Sequence, residues 1–105
     1  MIIEKGGINS MEYKIMLVED DASIAKLLSS YIEKYEYKTI IVKDFDKILD
    51  IFIETNPHLI LLDINLPKYD GYYWCRKIRQ VSKIPIIMIS ARDSEMDQVM
   101  GIESG

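Results

Sequence analysis

The sequence predicts an α/β fold, a doubly wound parallel sheet with helices on both faces. Three observations carry this. Short continuous apolar runs alternate with stretches of helical periodicity in the order β-α-β-α-β-α-β-α, and such runs are what strands covered on both faces require. Each run stops abruptly at a polar residue or a turn signal. The 105 residues, 49% apolar and 29% charged, match one small packed domain.

The elements follow in order. Residues 1–12 read as an N-terminal extension, broken by Gly6-Gly7 and Asn9-Ser10, with Met11 a second start position. The domain proper runs from 13 to 105. Ile15 to Val18 form the first strand and end at Glu19-Asp20-Asp21. Ile24, Leu27, Leu28, Tyr31, Ile32 and Tyr35 then recur on one face of a helix, with Asp21 placed to cap it. Lys38–Val42 is β-branched and strand-like. Phe45, Ile48, Leu49, Phe52 and Ile53 mark a second helix, which Asn56-Pro57 ends. Leu59–Leu62 is the third strand, stopping at Asp63. A turn from Pro67 to Gly71 leads into a helix over about 72–81, with Trp74, Cys75 and Ile78 inward. Pro85–Ile89 is the fourth strand, ending in Ser90. A last helix is expected over 94–104, with Gly105 as its C-terminal cap.

Composition excludes several classes. The single cysteine, Cys75, rules out an internal disulfide scaffold and suits a reducing, cytoplasmic setting. The longest apolar runs fall far short of the ~18 residues a membrane span needs, and residues 1–5 do not form a signal peptide. With 13 basic and 17 acidic residues the net charge is −4, a poor basis for binding nucleic acid directly.

In open parallel sheets, ligands bind beyond the carboxyl ends of the strands. There the chain gathers Glu19 and Asp20, Asp63, and Ser90, far apart in sequence. Three carboxylates invite a divalent cation, and oxygen ligands favour Mg²⁺. A carboxylate can also accept a phosphoryl group as aspartyl-phosphate, with metal neutralising the transferring charge and a hydroxyl binding a phosphate oxygen. The parts fit phosphoryl transfer onto Asp63. By contrast Asp21 reads as a helix cap, Asp70 as turn chemistry, His58 as structural, and Trp74 and Cys75 as helix-to-sheet packing.

Three strings, Lys14–Asp21, Leu59–Gly71 and Ile84–Arg92, resemble the receiver domain of bacterial two-component response regulators, over about residues 13–105. The details are similar to the OmpR/PhoB subgroup. Tyr72-Tyr73-Trp74-Cys75-Arg76 further resembles regulators of bacitracin- and lantibiotic-resistance transporters. The resemblance implies a flavodoxin-like or CheY-like receiver of strand order 2-1-3-4. It implies Asp63 as phosphoacceptor, served by a sensor histidine kinase. Asp20 would bind Mg²⁺ directly and Glu19 largely through water, with Asp63 and the Asn65 backbone carbonyl completing the set. Ser90 would bond the phosphoryl oxygen, and Pro67 and Gly71 would shape the loop. Ser23, Lys26 and Ser30 on the first helix are candidate kinase contacts. The implied protein is a switch with self-phosphorylation chemistry rather than an enzyme, and its partner domain is a fused DNA-binding output domain.

Receivers carry a fifth strand ending in a Lys, then a fifth helix, and neither is in this chain. The expectation is therefore a C-terminally incomplete receiver. In it, apolar residues of the first, third and fourth strands face water, phosphorylation is impaired, and the exposed sheet edge invites self-association. Two other functions compete. One is a non-phosphorylated receiver acting as an interaction module. The other is an aspartate-nucleophile phosphatase, which needs a general acid where Asn65 stands.

Overall fold

The structure, a computed structural model, describes residues 12–90. Residues 1–11 of the expected extension, the helix expected over 94–104 and the Gly105 cap lie outside the described residues.

Four strands and three helices alternate: β1 (Lys14–Val18), α1 (Ala22–Lys34), β2 (Lys38–Ile41), α2 (Ile48–Thr55), β3 (Leu59–Asp63), α3 (Gly71–Arg79) and β4 (Ile86–Ile89). The sheet is wholly parallel, in the order β2-β1-β3-β4. This is the expected 2-1-3-4 arrangement. β1 and β3 are central, so their carboxyl ends lie side by side: Val18 pairs with Leu62, which makes Glu19 and Asp63 the next step of both strands.

Side chains alternate across the sheet with a period of two. Met16, Val18, Ile60, Leu62, Ile86 and Met88 join Ile48 and Phe52 of α2 and Trp74, Cys75 and Ile78 of α3 in the main core. Ile15 and Leu17 point the other way and are buried beneath α1 with Ala25. The expectation that apolar residues of the first strand face water is thus corrected, because α1 lies over β1. On β4, Ile87 is 50% exposed, and on α1 Leu27 and Tyr31 are 58% and 60% exposed. Leu27, Tyr31 and Tyr35 are exposed, so the apolar stripe is wider than the strip that the helix buries.

The helix ends follow their local chemistry. Asp21 Oδ1 accepts from the N–H groups of Ser23 and Ile24 at 2.9 and 3.2 Å, capping α1. Asn56 adopts the left-handed conformation (φ 49°) and closes α2, as Asn does at C-caps. Two expectations shift. Phe45 keeps helical spacing but precedes α2, because Asp44 turns the chain there: its side chain accepts from Asp46 N–H at 3.1 Å and its carbonyl from Lys47 N–H at 3.1 Å. Asp70 is more than a turn residue: its Oδ1 accepts from Tyr73 N–H at 3.0 Å and caps α3. At the opposite, amino end of the sheet, His58 Nδ1 accepts from Lys14 N–H at 3.0 Å and its ring stacks on Tyr13 at 4.6 Å. His58 is structural, as expected.

Candidate functional site: an acidic triad at the carboxyl edge of the sheet

Glu19, Asp20 and Asp63 converge. Each offers a carboxylate oxygen, and these oxygens lie within 4.8 Å of one another. Glu19 and Asp63 are buried, at 4% and 2% exposure, while Asp20 is exposed. The strand register causes the convergence, since the paired residues Val18 and Leu62 each immediately precede a buried acid.

Backbone N–H groups orient both buried acids. Glu19 Oε2 accepts from Asp21 N–H at 3.1 Å, so the residue that caps α1 also fixes Glu19. Asp63 Oδ1 accepts from Asn65 N–H at 3.1 Å. The family resemblance implied a role for the Asn65 carbonyl; the bond seen here is made by its N–H. Asp63 pairs with Ile89, and Ile64 N–H donates to Ile89 carbonyl at 2.9 Å. Ser90, half-buried, therefore follows the strand residue opposite Asp63.

Gly71 closes the site from behind. Its N–H donates to Ile64 carbonyl at 2.8 Å, and a Cβ there would collide with the Asp63 carbonyl oxygen and reach 3.0 Å from Asp63 C and Ile64 Cα. Only glycine permits this approach. The sequence marked Gly71 as a loop former; its contact with the Asp63 backbone was not visible in a one-dimensional motif.

The electrostatics are those of crowded acids. Burial pushes the Asp63 carboxyl from 3.8 up to about 7; the Asn65 N–H opposes this, and the Glu19 and Asp20 charges reinforce it. Glu19 is also raised, first by burial, against the lowering influence of the Asp21 N–H and its hydrogen bond with Asp63. Desolvation and neighbouring like charges both favour the protonated form of a carboxyl. An oxygen-only donor set with excess negative charge fits a hard divalent cation.

A parallel α/β sheet with buried acids gathered at its carboxyl edge, one of them ending a central strand, defines a receiver-type domain. The chain belongs to the response regulator receiver domain family, which it matches over residues 15–105. It is 61% identical over 92 residues to the transcriptional regulatory protein YxdJ of Bacillus subtilis, covering 88% of this chain and 40% of that one. It is 48% identical over 92 residues to the response regulator protein GraR of Staphylococcus haemolyticus, covering 88% of this chain and 41% of that one. Among solved structures, the N-terminal domain of the nisin resistance regulator NsrR, a lantibiotic response regulator, superposes with a TM-score of 0.76 at 39% identity, covering 90% of this chain and 80% of that one. The chain spans about two fifths of the length of its curated relatives. Domains of this family are phosphoacceptor switches rather than classical enzymes, which leaves the phosphatase reading without support.

Proposed function

We propose that this chain is the phosphoacceptor of a two-component pathway, taking a phosphoryl group from a sensor histidine kinase onto Asp63 with Mg²⁺ at Glu19, Asp20 and Asp63. The observation that carries the reading is the burial of Asp63 beside two further carboxylates within 4.8 Å. A buried acid raised to about 7 gains nothing for stability from its position, so its placement is explained by chemistry.

Asp63 is the nucleophile. The Asn65 N–H holds Oδ1, which leaves Oδ2 as the oxygen that bonds to phosphorus. As the O–P bond forms, the P–N bond to the kinase histidine breaks and its electron pair stays on the imidazole nitrogen. Glu19 and Asp20 hold the cation, with the Asn65 carbonyl as a further ligand. When bound, Mg²⁺ supplies charge neutralisation to the transferring phosphoryl. The Ser90 hydroxyl donates to a phosphoryl oxygen and draws β4 toward it, biasing the domain between two states. The kinase docks on the rim and on α1, at Ser23, Lys26 and Ser30.

The relatives' names extend the proposal to a parent protein whose output domain binds DNA and regulates transcription in the cytoplasm. Among the described residues no helix is long and apolar enough to cross a membrane. The similarity to NsrR supports a regulator of lantibiotic resistance.

The test is incubation with acetyl phosphate and Mg²⁺ followed by intact mass. A gain of one phosphoryl group, abolished by Asp63→Ala, is expected. A folded chain that gains none supports the interaction-module reading.

A further inference from the structure

Beside the acidic triad, between the carboxyl ends of β1 and β2 and the first turns of α1, lies a cavity of about 500 Å³. This is within the range of small-molecule sites. Its lining is mainly apolar, from Ala22 and Ala25 of α1, Ile41 and Val42 at the end of β2, and Phe45. The space exists because α1 presents two alanines toward β2, where larger side chains would fill the gap. Phe45, displaced from α2 by the Asp44 turn, forms a further part of the lining.

The charges are distributed unequally. At the triad end the wall is Glu19 and Asp20, whose carboxylates converge on the cation position with Asp63. The lining also holds Lys26 and Lys43. Among the described residues the one ion pair is Lys68 with Asp46, so neither lining lysine is neutralised by an ion pair there. A mainly apolar cavity whose lining adds two lysines to the acid pair complements a ligand with an apolar body and an anionic group that meets the lysines rather than the acids.

We propose that this cavity binds a small amphipathic anion, an aromatic or aliphatic carboxylate, with its apolar body against Ala25, Val42 and Phe45 and its charge between Lys26 and Lys43. The site is distinct from the phosphoacceptor but shares the Glu19–Asp20 wall with it. An occupant gives the receiver a second, non-covalent input beside Asp63. That consequence rests on the phosphoacceptor reading; the binding does not.

The experiment is a titration of the ¹⁵N-labelled chain, free of Mg²⁺ and phosphodonor, with 2-naphthoate and separately with 2-naphthylmethylammonium. Amide shifts are expected for the carboxylate at Ala22, Ala25, Lys26, Val42 and Lys43, and the amine is expected to bind more weakly. The Lys26→Gln/Lys43→Gln variant should lose about tenfold in carboxylate affinity, near 1.4 kcal/mol. Ala22→Leu, at an exposed helix position, should narrow the cavity and weaken binding without unfolding the chain. Shifts centred instead on Leu27, Tyr31 and Ile87, equal binding of the amine, or unchanged affinity in the lysine variant overturn the proposal. Failure of phosphorylation leaves this result untouched.

Discussion

Gly71 is packed against the backbone of Asp63 so closely that a single methyl group at Gly71 would strike the Asp63 carbonyl oxygen. The first residue of one helix thus sets the position of the last residue of a central strand. At most helix starts, Gly→Ala stabilises by reducing the freedom of the unfolded chain. Here the clash is with backbone, which cannot rotate away, so the sign reverses. Gly71→Ala is expected to destabilise by about 1–3 kcal/mol in urea unfolding and to weaken Mg²⁺ binding by calorimetry. A neutral or stabilising effect contradicts the contact.

Stability should depend on pH with the slope of a buried acid. Asp63 sits at about 7 in the fold against an ordinary 3.8. Between these values the folded chain holds more protons than the unfolded one, so stability is greatest at the acid end and is lost as pH rises. Glu19, raised as well, contributes with the same sign. Without divalent cation, the urea midpoint is expected to fall between about pH 4 and about pH 7, at up to roughly 1.4 kcal/mol per pH unit for one proton. Asp63→Asn should flatten the profile. An unchanged slope in that variant assigns the effect elsewhere.

Cation removal should act on the same groups. Mg²⁺ at about 100 times its dissociation constant stabilises by about 2.7 kcal/mol, so chelation should lower the melting temperature measurably above neutral pH. The effect should vanish in Asp20→Asn/Asp63→Asn, where two of the three carboxylates are gone. Equal stabilisation by Mg²⁺ in the double variant points to binding at another place.

The two aspartate caps make separable predictions. Asp21→Ala removes two hydrogen bonds to α1, and Asp70→Ala removes one to α3; each should cost about 0.5–2 kcal/mol. Asn at either position should retain most of the stability. By contrast, the Lys68–Asp46 pair, 65% exposed on both sides, should show a double-mutant coupling below about 0.5 kcal/mol, reduced further by salt.

Much of this arrangement was legible in the sequence. Ile15–Val18 and Leu59–Leu62 are unbroken apolar runs, which buried parallel strands require, and the acids at their ends followed directly. Periodicity was less informative about which flank of a helix is covered. Leu27 and Tyr31 share an apolar stripe with Ile24 and Leu28, yet the first two are exposed and the last two half-buried. Phe45 kept the helical spacing of Ile48 and Phe52, but a side-chain turn at Asp44 delays the helix, because local hydrogen bonding competes with helix formation. The approach of Gly71 to Asp63 and the cavity beside Ala25 depend on three-dimensional packing between segments that a linear motif does not relate.

The hydrogen bond from Ile64 N–H to Ile89 carbonyl has a mechanical meaning. Asp63 is followed at once by a donor that grips the residue just before Ser90. The charged group and the hydroxyl are therefore linked in series through one peptide step on each strand and a single bond, with no loop between them to absorb displacement. A displacement of Asp63 therefore has a short hydrogen-bonded route to Ser90. In this domain the lever arm is as short as a parallel sheet allows.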